Sequence, residues 1–152
     1  MSLRARWRRL RSGAQRGSAV VEFVFLAVLM MLPLLYLVVT LARIQAGAFA
    51  VTAASREAGR AYVTASDQRL APGRAQAAAG LAFSDQGFGG TGRIRVTCDH
   101  SPCLQPEGNV EVVASLDVPL PLVPDFLDGA LPTSVSVSAD HVSPVDRFRD
   151  RP

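Results

Sequence analysis

Two clusters in this 152-residue chain hold side chains capable of chemistry. The first is Cys98-Asp99-His100-Ser101-Pro102-Cys103, which contains both cysteines. A redox-active pair is usually spaced C-x-x-C, and a zinc site needs four ligands, of which Cys98, Cys103 and His100 make only three. Four intervening residues with a proline suit a small disulfide-closed loop, and a disulfide is expected because the rest of the sequence places these residues outside the reducing cytoplasm. A cysteine held in a disulfide offers no thiolate, so a Cys–His nucleophile is not expected. The second cluster is His141 with Asp140 and Asp146, which lacks a partnered serine at a recognisable spacing. No P-loop, HExxH or strand-borne GxGxxG is present. The chain is therefore not expected to be an enzyme, and no metal or cofactor is expected.

The elements that carry these clusters follow from charge and periodicity. All sixteen basic residues are arginine. Six of them (Arg4, Arg6, Arg8, Arg9, Arg11 and Arg16) precede residue 17 with no acidic residue among them. The remaining ten face thirteen Asp and Glu, so a basic leader precedes a slightly acidic body. The body gathers no basic face, which argues against nucleic acid as a partner. Phe23 to Ala42 is a run of twenty uncharged residues. As a helix it is roughly 30 Å long, the thickness of a bilayer's hydrocarbon core. Arginines precede it and only Arg43 closely follows, so the positive-inside rule predicts a cytoplasmic N-terminus and an extracytoplasmic C-terminal part. The membrane-spanning stretch is expected at about 20–42. Pro33 within it predicts a kink, as a tolerated proline or as a hinge used during extraction from lipid.

The helix is expected to continue to residue 65, through an alanine-rich segment. Ala42, Ala46, Ala50, Ala54 and Ala58 recur every four residues and form one small-residue stripe. That stripe permits either close approach of another helix or packing on the chain's own module. A second helix is predicted over roughly 72–83, with Pro72 at its first position. Alternating β-branched patterns at Arg93–Thr97, Asn109–Val118 and Ser134–Ser138 predict three strands. The expectation is an α+β fold: a long N-terminal helix, a short second helix and a small antiparallel sheet of about three strands. Pro119–Leu127 cannot be a central strand, and its apolar residues either cover the sheet or form a contact patch. Residues 66–142 make the extracytoplasmic module, and 143–152 read as a loose charged tail.

The informative oddity is Glu22, at the leading edge of the apolar run. A carboxylate within a membrane segment costs on the order of 2–3 kcal/mol at the bilayer centre and less near an interface, so Glu22 reads either as a functional residue or as one at headgroup level that touches water or pairs with Arg16. It stands in Arg16-Gly17-Ser18-Ala19-Val20-Val21-Glu22-Phe23, behind the arginine leader. This pattern resembles the processing site of type IV-type prepilins. The resemblance implies cleavage between Gly17 and Ser18 by a prepilin peptidase, removal of the 1–17 leader, and Glu22 as the fifth residue of the mature chain. It also implies that Glu22 pairs with the N-terminal amine of a neighbouring subunit. Together with Ala53-Ala54-Ser55-Arg56-Glu57-Ala58-Gly59-Arg60-Ala61, the segment 16–61 resembles the TadE-like minor pilins (pseudopilins) of the tight-adherence, or Flp pilus, system. The implied partners are the peptidase, other pilin subunits, the inner-membrane machinery and lipid. Two other readings use the same residues. One is an uncleaved single-pass anchor displaying a binding module. The other is a secreted protein cut at Ala46-Gly47-Ala48 or Ala48-Phe49-Ala50, although the apolar run exceeds a usual signal-peptide core.

Overall fold

The computed structural model describes residues 3–121 and 133–149, with the side chains of the first helix from Ala19 onward. Five elements follow in order: helix α1 (Leu3–Val63), helix α2 (Ala71–Asp85), and strands β1 (Arg93–Cys98), β2 (Asn109–Pro119) and β3 (Ser134–Pro144). The strands form one antiparallel sheet in the order β1-β2-β3. The α+β architecture is the one expected. The chain divides into two compact units, Met1–Val39 and Thr40–Pro152, and α1 contributes to both.

The sheet is two-faced. Along β2 the residues alternate strictly, and Val110, Val112, Ala114, Leu116 and Val118 are all buried. The second half of α1 lies on that face. It packs so closely that a methyl group on Gly47 would strike Val118, and one on Gly59 would strike the Ser143 hydroxyl. Since Gly47 also neighbours Val137 and Gly59 neighbours His141, this part of α1 runs in the same direction as β3. Helix α2 adds Ala71, Ala75, Ala79, Ala82 and Phe83 to the core. Both helices thus present alanines to the interior, and small side chains let a thin core close tightly.

Three boundaries differ from the sequence reading. Helix α1 starts at Leu3 rather than near residue 18, because the leader's Arg, Ala and Leu are good helix formers and neither Gly13 nor Gly17 interrupts them. Strand β3 runs to Pro144, six residues past Ser138. Its inward positions there are Ala139, His141 and Ser143, so the period continues without the apolar signal. The tail is not loose where it begins. Val145 is buried and its N–H donates to the Gly108 carbonyl at 2.8 Å. Arg149 donates through Nη1 to the Val63 carbonyl at 2.9 Å, and through Nη2 to the Ala65 carbonyl. A guanidinium at the C-terminal end of α1 satisfies carbonyls that have no intrahelical partner and complements the helix dipole. Most of the Pro119–Leu127 segment, and residues 150–152, fall outside the described residues.

Two glycine substitutions with equal helix propensity should separate. Gly80→Ala, in open space on α2, should stabilise the protein by about 0.5–1 kcal/mol. Gly47→Ala should instead destabilise it by about 1–3 kcal/mol, because the new methyl overlaps Val118. Thermal unfolding of the detergent-solubilised protein measures both, and a stabilised Gly47→Ala would rule out the close helix–sheet approach.

Candidate functional site

The first candidate site is the N-terminal half of α1. From Val20 to Leu41 its large apolar side chains are exposed on every side of the helix: Phe23 is 72% exposed, Met31 70% and Leu37 61%. A helix apolar all round belongs either in a large protein core or in lipid. The stretch beginning at Ala19 is long and apolar enough to cross a bilayer, and none of its most apolar window is buried within the protein. Glu22 sits in the first turns of this stretch and is exposed. Gly17 and Ser18 lie in helical backbone. Ser18 and Glu22 are four residues apart, so both positions share one helix face. Pro33 lies inside α1, which continues through it.

The alanine stripe divides. Ala50, Ala54 and Ala58 are wholly buried in the core of their own module. Ala46 is half-buried against that core, and Ala42 is exposed. The upper part of the stripe is therefore occupied by the chain's own sheet and second helix.

The second candidate site is the cysteine loop. Cys98 and Cys103 form a disulfide, with Cα atoms 5.4 Å apart. Asp99 organises the loop. Its carboxylate accepts the Asn109 backbone N–H at 2.8 Å and the Asn109 side-chain amide at 2.9 Å, and it contacts His100 Nδ1 at 2.8 Å. The Asn109 backbone N–H, followed by His100, holds the Asp99 carboxyl down at about 2. Just beyond the disulfide, Leu104 is buried, and its N–H donates to Gln68 Oε1 at 3.0 Å. Gln68 in turn donates to the Tyr62 hydroxyl at 3.5 Å. Burial raises the Tyr62 hydroxyl above its ordinary value, partly offset by that bond. The loop is thereby tied to the α1–α2 connection. Gln68 and Arg149 hold this end together, and sequence reading passed over both, because a polar residue bridging distant segments leaves no local pattern.

His141 faces the inner side of the sheet and is half-buried, while Asp140 is exposed on the outer side. Neighbouring strand residues point to opposite faces, so these two cannot act as a pair. No family model matches this chain, and no curated protein or solved structure does either.

The lowered Asp99 value fixes a pH window. A carboxyl depressed in the folded state contributes stability above its unfolded value of 3.8, and that contribution is lost as pH falls through about 2. A side-chain carboxyl NMR titration should therefore place the Asp99 midpoint near 2. A midpoint near 3.8 would mean that the Asn109 bonds do not persist in solution.

Proposed function

We propose that this protein is a TadE-like minor pilin, or pseudopilin, acting in the assembly of a Flp-type pilus or in tight-adherence secretion. The observation that carries the reading is Glu22, placed at the head of an all-round apolar helix and five residues after Gly17, behind six arginines. The function is assembly rather than catalysis. With the arginines in the cytoplasm, the apolar stretch lies in lipid and the module from about residue 66 lies outside. A prepilin peptidase hydrolyses the Gly17–Ser18 peptide bond, which discards the arginines and leaves an α-ammonium group on Ser18. The new cation and the Glu22 carboxylate are then the charges at the head of the apolar helix. An unpaired charge in an apolar bundle is strongly destabilising, whereas a charge paired across subunits is tolerated. A carboxylate one turn from the new terminus thus selects the register in which it meets a neighbour's amine. Other pilin subunits and the inner-membrane machinery are the partners this mechanism needs.

A second reading, an uncleaved anchor that displays the module, draws support from one observation. Helix α1 runs without a break across Gly17–Ser18, whereas a protease takes its substrate in a locally opened form.

Intact mass of the membrane-extracted protein, with and without a co-expressed prepilin peptidase, separates the two. Loss of residues 1–17 is the expected result, and an unchanged mass beside an active peptidase would leave the anchor reading. In a piliated host, Glu22→Ala should insert normally yet lower filament assembly. Normal piliation in that variant would remove the amine pairing from the mechanism.

A further inference from the structure

Three segments of the module meet where the apolar run stops. Ala42 ends that run, and it belongs to the same compact unit as the sheet and α2. Gly47 lies four residues past Arg43, about 6 Å along the helix. Val118 and Val137 lie against Gly47. Strand β2 runs opposite to this part of α1, so two residues past Val118, about 7 Å of strand, bring it back to the level of Arg43. There the Leu120 N–H donates to the Thr133 carbonyl at 2.9 Å. The connection from α2 to β1 returns to the same level, and the Arg43 guanidinium lies over the Phe88 ring, 5.1 Å from its centre.

Charge is distributed unevenly between this end of the module and the other. Residues 44–55, 86–92, 118–121 and 133–139 contain no charged side chain, which leaves Arg43 alone at the base. Asp85 and the ion pair of Arg93 with Asp117, at 3.0 Å, flank these segments. The opposite end holds Asp67, Arg69, Asp99, Glu107, Asp146 and Arg149, gathered about the α1–α2 turn, the disulfide loop and the start of the tail. Phe49, six residues past Arg43 on the uncharged stretch, is 68% exposed.

We infer that the uncharged base of the module is seated on phospholipid, at the boundary between headgroups and acyl chains of the bilayer that holds α1. The headgroup layer adds roughly 5–7 Å to each side of the hydrocarbon core, about the height from Arg43 to Gly47. A carboxylate or guanidinium brought to that boundary loses hydration, so a surface resting there is cleared of charge, whereas a module carried into water on a bare stalk has no such requirement. Arg43 is the exception that lipid accommodates. One face of its guanidinium stacks on Phe88, and its N–H groups can reach a phosphate. The base is continuous with the apolar run, so helix and module present one surface to the membrane, and the charged end faces water. The residues that join Pro121 to Thr133 lie outside the described residues and are not assigned to this surface. The inference rests on the membrane anchor of the proposed function and is independent of leader processing.

The test uses full-length protein in phosphatidylcholine vesicles that contain lipid brominated on its acyl chains, a short-range quencher of tryptophan emission. Trp7→Phe removes the chain's one tryptophan, and single tryptophans are then placed in turn. Leu35→Trp reports the apolar helix, Thr91→Trp and Ser134→Trp the base, where both residues are exposed, and Arg69→Trp the far end. Leu35→Trp should be quenched most. Thr91→Trp and Ser134→Trp should each lose about half their emission, as rings at the headgroup–acyl boundary do, and Arg69→Trp should keep its own. Base tryptophans as bright as Arg69→Trp, beside a quenched Leu35→Trp, would overturn the seating and leave the anchor standing. A Leu35→Trp that keeps its emission would remove the anchor, and the seating with it. Quenching of Arg69→Trp to the level of the base would overturn the seating too, because the module would then lie on its side.

Discussion

The apolar half of α1 cannot be left in water, and that constraint decides what environment the chain can occupy. Exposing one large apolar side chain in place of burying it costs about 1.5–3 kcal/mol, and the stretch from Val20 to Leu41 exposes such side chains on all its sides. The Thr40–Pro152 unit is small, with a core built largely of alanine and valine, and offers no interior of the size needed to enclose such a helix. Lipid removes the cost without any partner, and a bundle of like helices removes it equally well. A subunit that moves between those two environments gains little apolar free energy from the transfer, because both are dry. In the proposed assembly, charged groups then decide the outcome, and a single carboxylate at the head of the helix gains its leverage there.

The module meets a different difficulty. Three strands and two helices bury only a modest core, and domains of this size need additional bracing. Several devices provide it. Alanines on both helices and glycines at 47 and 59 bring the helices close to the sheet and to one another. The Cys98–Cys103 disulfide and the Asp99 bonds to Asn109 close the β1–β2 connection. Gln68 fastens the residue after that disulfide to the α1–α2 turn, and Arg149 fastens the chain's end to the same region through the carbonyls of Val63 and Ala65. The bracing concentrates where α1 ends. The C-terminal turn of the long helix is thus held by side chains from far along the sequence, and the helix cannot fray there without releasing the loop and the tail.

Which of these features the sequence displays depends on whether the signal is periodic. The apolar run, the alternation in β2 and the alanine spacing are repeated patterns, and each corresponds to an element or face in the structure. The cysteine pair is read from its spacing together with its place beyond the apolar run, and the disulfide closes. Strand β3 escapes past Ser138 because His141 and Ser143 stand at inward positions where an apolar residue would have continued the pattern. The close passage of α1 over His141 and Ser143 at Gly59 explains how small and polar residues serve there. The packed start of the tail escapes because Val145 and Arg149 look unremarkable in a charged, proline-flanked segment, and only their distant partners give them meaning. For the candidate site the sequence carries most of the signal. Gly17, Ser18 and Glu22 form the motif on which the proposed processing and charge pairing rest, and their helical placement adds the shared face of positions 18 and 22.

The fate of the alanine stripe changes how subunits of such a protein can meet. Read from spacing, the stripe serves one continuous function from Ala42 to Ala58. In the structure its upper part is covered by the chain's own sheet and by α2, so Ala50, Ala54 and Ala58 cannot also receive a neighbour. Contacts between copies must then differ along α1. Within the apolar half, large side chains face outward on every side, and packing there is permissive. Beyond it, one side of the helix is sealed against the chain's own sheet and α2.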